Sequence, residues 1–162
     1  MNTIITPEEI ATARDLGACE PALDWLTSAP RTWGEVVERH GGWILEHAAA
    51  RLTAARLDAC AERAPWAALE HAAARLTAER LDACATRAPR EALRYAAHLV
   101  TPERIDWCAG LVPGLALRYA ADRLTPARLD ACAERAPWAA LAHAAARLTA
   151  ARLDACAERA PW

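Results

Sequence analysis

Cysteine is the residue type in this chain whose spacing first suggests chemistry. A row of thiolates could bind a soft metal ion, but zinc needs its thiolate ligands ~2.3 Å away. Packed helices lie ~8–10 Å apart, too far for a shared ion or for the ~4.4–6.8 Å between the Cα atoms of a disulfide. We therefore predict buried thiols without metal or cofactor. The cysteine row recurs every 24 residues (84 − 60) and comprises Cys60, Cys84, Cys108, Cys132 and Cys156.

Arginine and aspartate form two further rows with the same period. The arginine row is Arg56, Arg80, Arg104, Arg128 and Arg152. The aspartate row is Asp58, Asp82, Asp106, Asp130 and Asp154. Since an acid follows each arginine two residues on, a phosphate-binding surface is disfavoured. We expect ion pairs between neighbouring repeats, each contributing ~0–1 kcal/mol where exposed.

The aromatic–arginine row is a candidate binding surface. It comprises His47, His71, Tyr95, Tyr119 and His143, with Arg51, Arg75, Arg123 and Arg147 four residues after their aromatic partners. Residues four apart share one face of a helix. Such side chains can stack on nucleic-acid bases or contact a protein partner. A solvated row without a partner is the alternative interpretation.

These rows are copies of positions in one 24-residue repeat. In residues 53–76, Thr53 is a predicted N-cap and Pro65 ends one helix and opens another. The first helix has an apolar face of Leu57, Cys60, Ala61 and Ala64, and the second has Leu69, Ala72, Ala73 and Leu76. Because such a unit buries its apolar face only against its neighbours, the pattern predicts an all-α fold, an α-solenoid of two-helix repeats.

The remaining sequence divides around this repeat. Residues 1–28 are predicted to form an N-terminal helical cap, with one helix from Thr6 to Gly17 and another over 19–26. Residues 29–52 resemble a degenerate first repeat, whose helix is predicted to open at Thr32 and to end at Gly41 and Gly42. Residues 53–162 then contain four full repeats and one that is C-terminally incomplete.

The incomplete repeat predicts an uncovered helix face. The second helix of that repeat has only begun where the sequence ends, so the first helix lacks its packing partner. We expect either self-association through this face or continuation into a longer array. The candidate self-association residues are Leu153, Cys156, Ala157, Ala160 and Trp162.

The repeat over 101–124 departs most from the others. Trp107 replaces an alanine at an outward position and Leu111 replaces an arginine four residues later. Leu99, just before this repeat, also replaces an arginine. Exposed apolar residues on one repeat indicate a partner site. Local repacking that buries Trp107 is the alternative.

Composition excludes several function classes. The net charge is −2, which gives no general attraction to nucleic acid or anionic lipid. The absence of lysine excludes a P-loop and a Schiff base, and the one serine, Ser28, lies outside a nucleophile-elbow motif. The N-terminus lacks the pattern of a signal peptide. We expect a cytoplasmic protein that is not an enzyme.

The repeat motif resembles a group of known sequences. Trp66–Leu76 and Gly114–Leu124 share a core pattern, Trp/Gly-x-Ala-Leu-x-His/Tyr-Ala-Ala. This pattern is similar to uncharacterised short α-helical tandem-repeat proteins of bacteria and phages, which implies no catalytic residues. The sequence therefore predicts a repeat scaffold that binds a macromolecule, with protein favoured and nucleic acid or self-assembly as alternatives. The candidate partner-binding residues are Trp107, Leu111, Leu99, Tyr95, Tyr119, His71, His143, Arg75 and Arg123.

Overall fold

The chain is all-helical, as its periodicity predicted. The computed structural model describes residues 3–160, in which twelve α-helices and no β-strand occur. One antiparallel bridge joins Ile4 and Thr32. Among these residues no helix has both the length and the apolar character needed to cross a membrane. Packing divides the chain into two compact units, Met1–Ala72 and Ala73–Trp162.

The first unit begins with the two predicted helices, and the second of them continues two residues beyond its predicted end, to Ser28. Thr6 caps α1 in a reciprocal capping box with Glu9. Gly17, at φ +84°, ends α1 with the left-handed backbone that glycine adopts without strain. The helices of this unit are α1 (Pro7–Asp15), α2 (Glu20–Ser28), α3 (Trp33–Ala48), α4 (Ala54–Arg63) and α5 (Pro65–His71), with a 3-10 turn over Ala49–Arg51.

Helix α3 corrects one prediction. It starts at the Thr32 capping box as expected, but it continues through Gly41 and Gly42 to Ala48. Gly41 stands where the later repeats have the proline that separates their two helices, so nothing interrupts the backbone hydrogen bonds here. The glycines instead provide room. A Cβ on Gly42 would lie 3.1 Å from Cζ2 of Trp66, so the indole packs directly against the α3 backbone.

The second unit repeats one local pattern. A ten-residue helix starts after a threonine whose hydroxyl accepts a hydrogen bond from the backbone N–H three residues on, as predicted. A seven-residue helix beginning at proline follows it. The helices are α6 (Ala78–Arg87), α7 (Pro89–Tyr95), α8 (Pro102–Leu111), α9 (Pro113–Tyr119), α10 (Pro126–Arg135), α11 (Pro137–His143) and α12 (Ala150–Arg159).

The second helix of each repeat is shorter than predicted. We expected the positions of Ala72, Ala73 and Leu76 to extend its apolar stripe, but α5 ends at His71. At the same point in a later repeat, Ala144 leaves the helical region (φ −130°, ψ 8°), and Ala145–Arg147 forms a 3-10 turn. This turn carries the chain to the next N-cap.

Equivalent helices of the second unit pack side by side. The ten-residue helices α6, α8, α10 and α12 contact one another in sequence order, and so do the seven-residue helices α7, α9 and α11. Leu93, Ile105 and Leu117 are almost fully buried. The described part of the chain contains no buried polar or charged residue. Apolar burial between neighbouring repeats therefore forms the core of this unit.

Candidate functional site

The cysteine row lies in the core, where its thiols make hydrogen bonds between repeats. In the second unit, the Sγ atoms of Cys108, Cys132 and Cys156 each donate to the backbone carbonyl of an alanine in the preceding ten-residue helix. The Sγ–O distances are 3.8 Å for Cys108 to Ala85, 3.6 Å for Cys132 to Ala109 and 3.7 Å for Cys156 to Ala133. The repeat therefore reproduces a polar contact as well as an apolar surface.

Proline explains why these carbonyls need a donor. In an α-helix a carbonyl accepts from the N–H four residues on. For Ala109 that residue is Pro113, which has no N–H. Ala85 and Ala133 are followed in the same way by Pro89 and Pro137. The thiol supplied by the next repeat thus satisfies a carbonyl that the helix-breaking proline leaves without its usual partner.

The buried thiols are poor nucleophiles. Burial raises the pKa of Cys60 to about 12 and that of Cys108 to about 11, with nearby arginines opposing the shift, and it raises the pKa of Cys132 in the same direction. A protonated thiol is the form that can donate a hydrogen bond. All six cysteines are thiols, and only Cys19 is exposed. No cluster of three or more metal-binding side chains occurs within residues 3–160.

Members of the arginine and aspartate rows form two of the predicted ion pairs between repeats of the second unit. Arg104 Nε lies 3.8 Å from Asp82 Oδ2, and Arg152 Nε lies 3.4 Å from Asp130 Oδ1. The hydroxyl of Thr125 donates to Asp106 Oδ2 at 3.0 Å. These carboxylates therefore contact arginine and threonine side chains at the start of the ten-residue helix in the next repeat.

The aromatic–arginine row divides into engaged and exposed members. Arg123 donates to the carbonyls of Ala97 and Val100, the latter at 3.1 Å. Arg147 donates to the carbonyl of Leu124 at 3.5 Å. These guanidinium groups therefore bind the backbone of the preceding repeat. Of the other candidates, His71, Arg75 and His143 are exposed, and Tyr95 and Tyr119 are half-buried beside Arg94 and Arg118.

Trp107 and Leu111 lie on the surface of α8. Trp107 is 39% exposed and Leu111 is 52% exposed, so local repacking does not bury either side chain. They stand four residues apart on one helix face, and the Arg104 guanidinium lies 5.3 Å from the Trp107 ring centroid. Leu99, in the turn before α8, is also exposed.

Trp138 is an exposed residue that the sequence did not single out. Its side chain is 65% exposed at the start of α11. It was missed because the tryptophan belongs to the repeated motif and resembled a core position. Leu111 and Trp138 both lie at the junction between the longer and shorter helix of successive repeats. Arg135 joins these junctions by donating to the carbonyl of Gly110.

The predicted uncovered face of α12 is only partly uncovered. Cys156 is 2% exposed and bonded to Ala133, so its prediction as an accessible self-association residue is wrong. Leu153 and Ala160 are half-buried. Ala157 is exposed, whereas its equivalents Ala61, Ala85, Ala109 and Ala133 are fully buried. Trp162 lies outside the described residues.

Comparison of the chain with protein-family models, with curated proteins and with solved structures finds no match. A function for this chain must therefore be argued from its own residues.

Proposed function

We propose that this protein is a non-enzymatic repeat scaffold, an α-solenoid of 24-residue two-helix repeats, that binds a protein partner. The side-by-side packing of equivalent helices in the second unit supports the solenoid arrangement. The repeated contacts from cysteine to alanine carbonyl support it as well. In such an array each repeat makes the same core contacts with its neighbours, so its surface residues can vary without loss of the fold.

The proposed binding surface consists of Trp107, Leu111 and Trp138, and we name it the α8–α11 surface. The observation that carries the proposal is that Trp107 and Leu111 break the repeat pattern with exposed apolar side chains. In α10 the same positions are Ala131 and Arg135, and Arg135 donates a hydrogen bond to the carbonyl of Gly110 in the neighbouring repeat. Exposed tryptophan with adjoining apolar residues is typical of the energetic centre of protein interfaces.

A protein partner is favoured over nucleic acid by charge. The net charge of the chain is −2, and nucleic-acid affinity depends mainly on cationic contacts to phosphates. Two arginines of the aromatic–arginine row, Arg123 and Arg147, already donate to backbone carbonyls. Partner binding through the α8–α11 surface is therefore expected to be only weakly sensitive to salt.

The test uses a reversion to the common repeat. Trp107→Ala combined with Leu111→Arg restores the residues found at the same positions of α4, so folding should be retained. Quantitative recovery of cellular proteins by wild type, by this double variant and by Glu79→Ala on α6 is compared by mass spectrometry. A specific partner should be lost only from the double variant. Equal recovery by all three would remove the proposal.

Self-association is a second candidate, supported by the exposure of Ala157 where its equivalents are buried. The small side chain of an exposed alanine permits close approach of a second helix. Ala157→Arg should then lower the mass measured by light scattering, while Ala127→Arg, at an exposed position of α10, should not. An unchanged mass in Ala157→Arg argues against this candidate. Retention on heparin with a steep salt dependence would instead favour nucleic acid.

A further inference from the structure

The first unit contains a cavity that plays no part in the proposed partner surface. Its volume is about 350 Å³, and it lies among α1, α2, α3 and the start of α4. This volume is within the ~300–1,000 Å³ typical of small-molecule sites. Most of its wall is apolar, formed by residues such as Leu16, Leu26, Val36, Trp43 and Ile44.

Two polar atoms in the wall are buried without a partner. Trp33 lines the cavity and is 6% exposed, yet its indole Nε1 has no hydrogen-bond acceptor. His40 also lines the cavity, and its Nε2 is likewise unpaired. A buried donor left unsatisfied is costly and is rare in native proteins. Trp33 therefore has an unsatisfied indole N–H and also lines the cavity.

The charges around the cavity leave an excess positive charge. Glu9 and Arg56 form an ion pair, and the Arg56 guanidinium lies 4.3 Å from the centroid of the Trp33 ring. Burial would raise the pKa of Glu9, but the Thr6 backbone N–H and Arg56 outweigh it and lower this pKa. Arg51 also lines the cavity, and within residues 3–160 it has no ion-pair partner. One cation thus remains for a ligand.

We propose that this cavity binds a small monocarboxylate with an apolar aromatic or aliphatic body. The body would occupy the space between α1, α2 and α3. The carboxylate would accept from the Trp33 indole N–H and pair with Arg51. The site goes beyond the proposed protein-binding function because all of its residues lie in the first unit.

The full-length protein can be tested with three probe acids: 4-phenylbutyrate, 1-naphthylacetate and octanoate. Calorimetry should show saturable binding of at least one acid, and its neutral amide should bind about tenfold more weakly because it cannot pair with Arg51. Arg51→Gln should remove this preference for the acid. Trp33→Phe keeps an aromatic ring but removes the donor, and it should weaken the binding of both acid and amide by about fivefold.

A matched pair of variants places the ligand in the cavity. Ala13 lines it, whereas Ala11 is an exposed residue of the same helix. Ala13→Trp should fill the space and abolish binding, and Ala11→Trp should bind as wild type does. Unchanged binding by Ala13→Trp would overturn the proposal, as would absence of binding of all three acids to wild type at millimolar concentration.

Cys19 provides a readout that needs no variant. It lines the cavity and is the exposed member of the six cysteines. A bound acid should slow its alkylation by N-ethylmaleimide severalfold, and the neutral amide at the same concentration should slow it less. An alkylation rate that none of the acids changes would contradict the assignment, even if Ala13→Trp failed to fold.

Discussion

Substitution of Cys132 tests whether the cysteine row acts as a donor or only as a small apolar filler. Cys132 is 1% exposed, and its Sγ lies 3.6 Å from the carbonyl oxygen of Ala109. Cys132→Val keeps the side chain apolar, adds one heavy atom and leaves that carbonyl unsatisfied, and the unsatisfied carbonyl costs about 1–3 kcal/mol. Cys132→Ala also leaves a void of one heavy atom, adding about 0.5–1 kcal/mol.

Cys132→Ser distinguishes the two interpretations because the hydroxyl still donates. If the hydrogen bond matters, the serine variant should be the most stable of the three, within about 1 kcal/mol of wild type. If the position needs only apolar volume, the order reverses, with valine close to wild type and serine least stable. Urea unfolding followed by circular dichroism measures the difference, using the change in midpoint at constant slope.

Controls at Cys19 complete this experiment. Cys19 is exposed and is the N-cap residue of α2, so Cys19→Val should change the free energy of unfolding by less than about 0.5 kcal/mol. Cys19→Ser should not lower it, because serine is a favoured N-cap. A valine variant at position 132 that is as stable as wild type would refute the donor role. The same would hold for a serine variant less stable than the alanine variant.

Three further predictions concern pH, helix α3 and thiol reactivity. The raised pKa values of Cys60 and Cys108 mean that the folded state favours the protonated thiol. The resulting stabilisation is complete below the ordinary pKa of 9.0 and is lost as pH rises toward about 11 to 12. The melting temperature should therefore fall over that pH range, and it should fall less steeply in Cys108→Val. Gly41→Ala should stabilise α3 by about 0.5–1 kcal/mol in thermal unfolding, because the added Cβ meets nothing closer than 3.6 Å. Gly42→Leu should destabilise the protein by about 1–3 kcal/mol, because the leucine side chain would collide with Trp66. Equal effects of the two substitutions would contradict the packing described. Ellman's reagent at neutral pH should titrate one thiol rapidly, that of Cys19, and the remaining five only after unfolding, and rapid reaction of a second thiol would show that the core opens readily.

Much of the fold could be predicted because the same helix-capping and helix-breaking residues recur in every repeat. Threonine before each ten-residue helix and proline before each seven-residue helix identify starts and breaks through the hydrogen bonds that these residues make or lack. The ion pairs of Arg104 with Asp82 and of Arg152 with Asp130 also followed from the period alone. The all-α class and the helix starts after Thr6 and Thr32 are confirmed for the same reason.

The candidate sites were less predictable because they depend on which surfaces meet. The sequence identified Trp107 and Leu111 as departures from the repeat. It gave no reason to expect that Trp138 is exposed, because this residue belongs to a repeated motif of mainly core positions. It treated residues 1–28 as a cap and did not reveal the cavity, whose wall brings together residues as distant as Ile5 and Arg56. The sequence also did not reveal that Arg123, a predicted partner-binding residue, donates to backbone carbonyls of the preceding repeat.

The sequence by itself determined the helical class, the period and the helix breaks, since capping and the missing proline N–H are local properties of the chain. Only the tertiary structure decided that the Trp66 indole packs against the α3 backbone at Gly42, because that side chain is distant in sequence. It also decided the role of the cysteines. Their spacing is a property of the sequence, but the carbonyls that the thiols of Cys108 and Cys132 meet belong to the preceding repeat, and only packing brings them together.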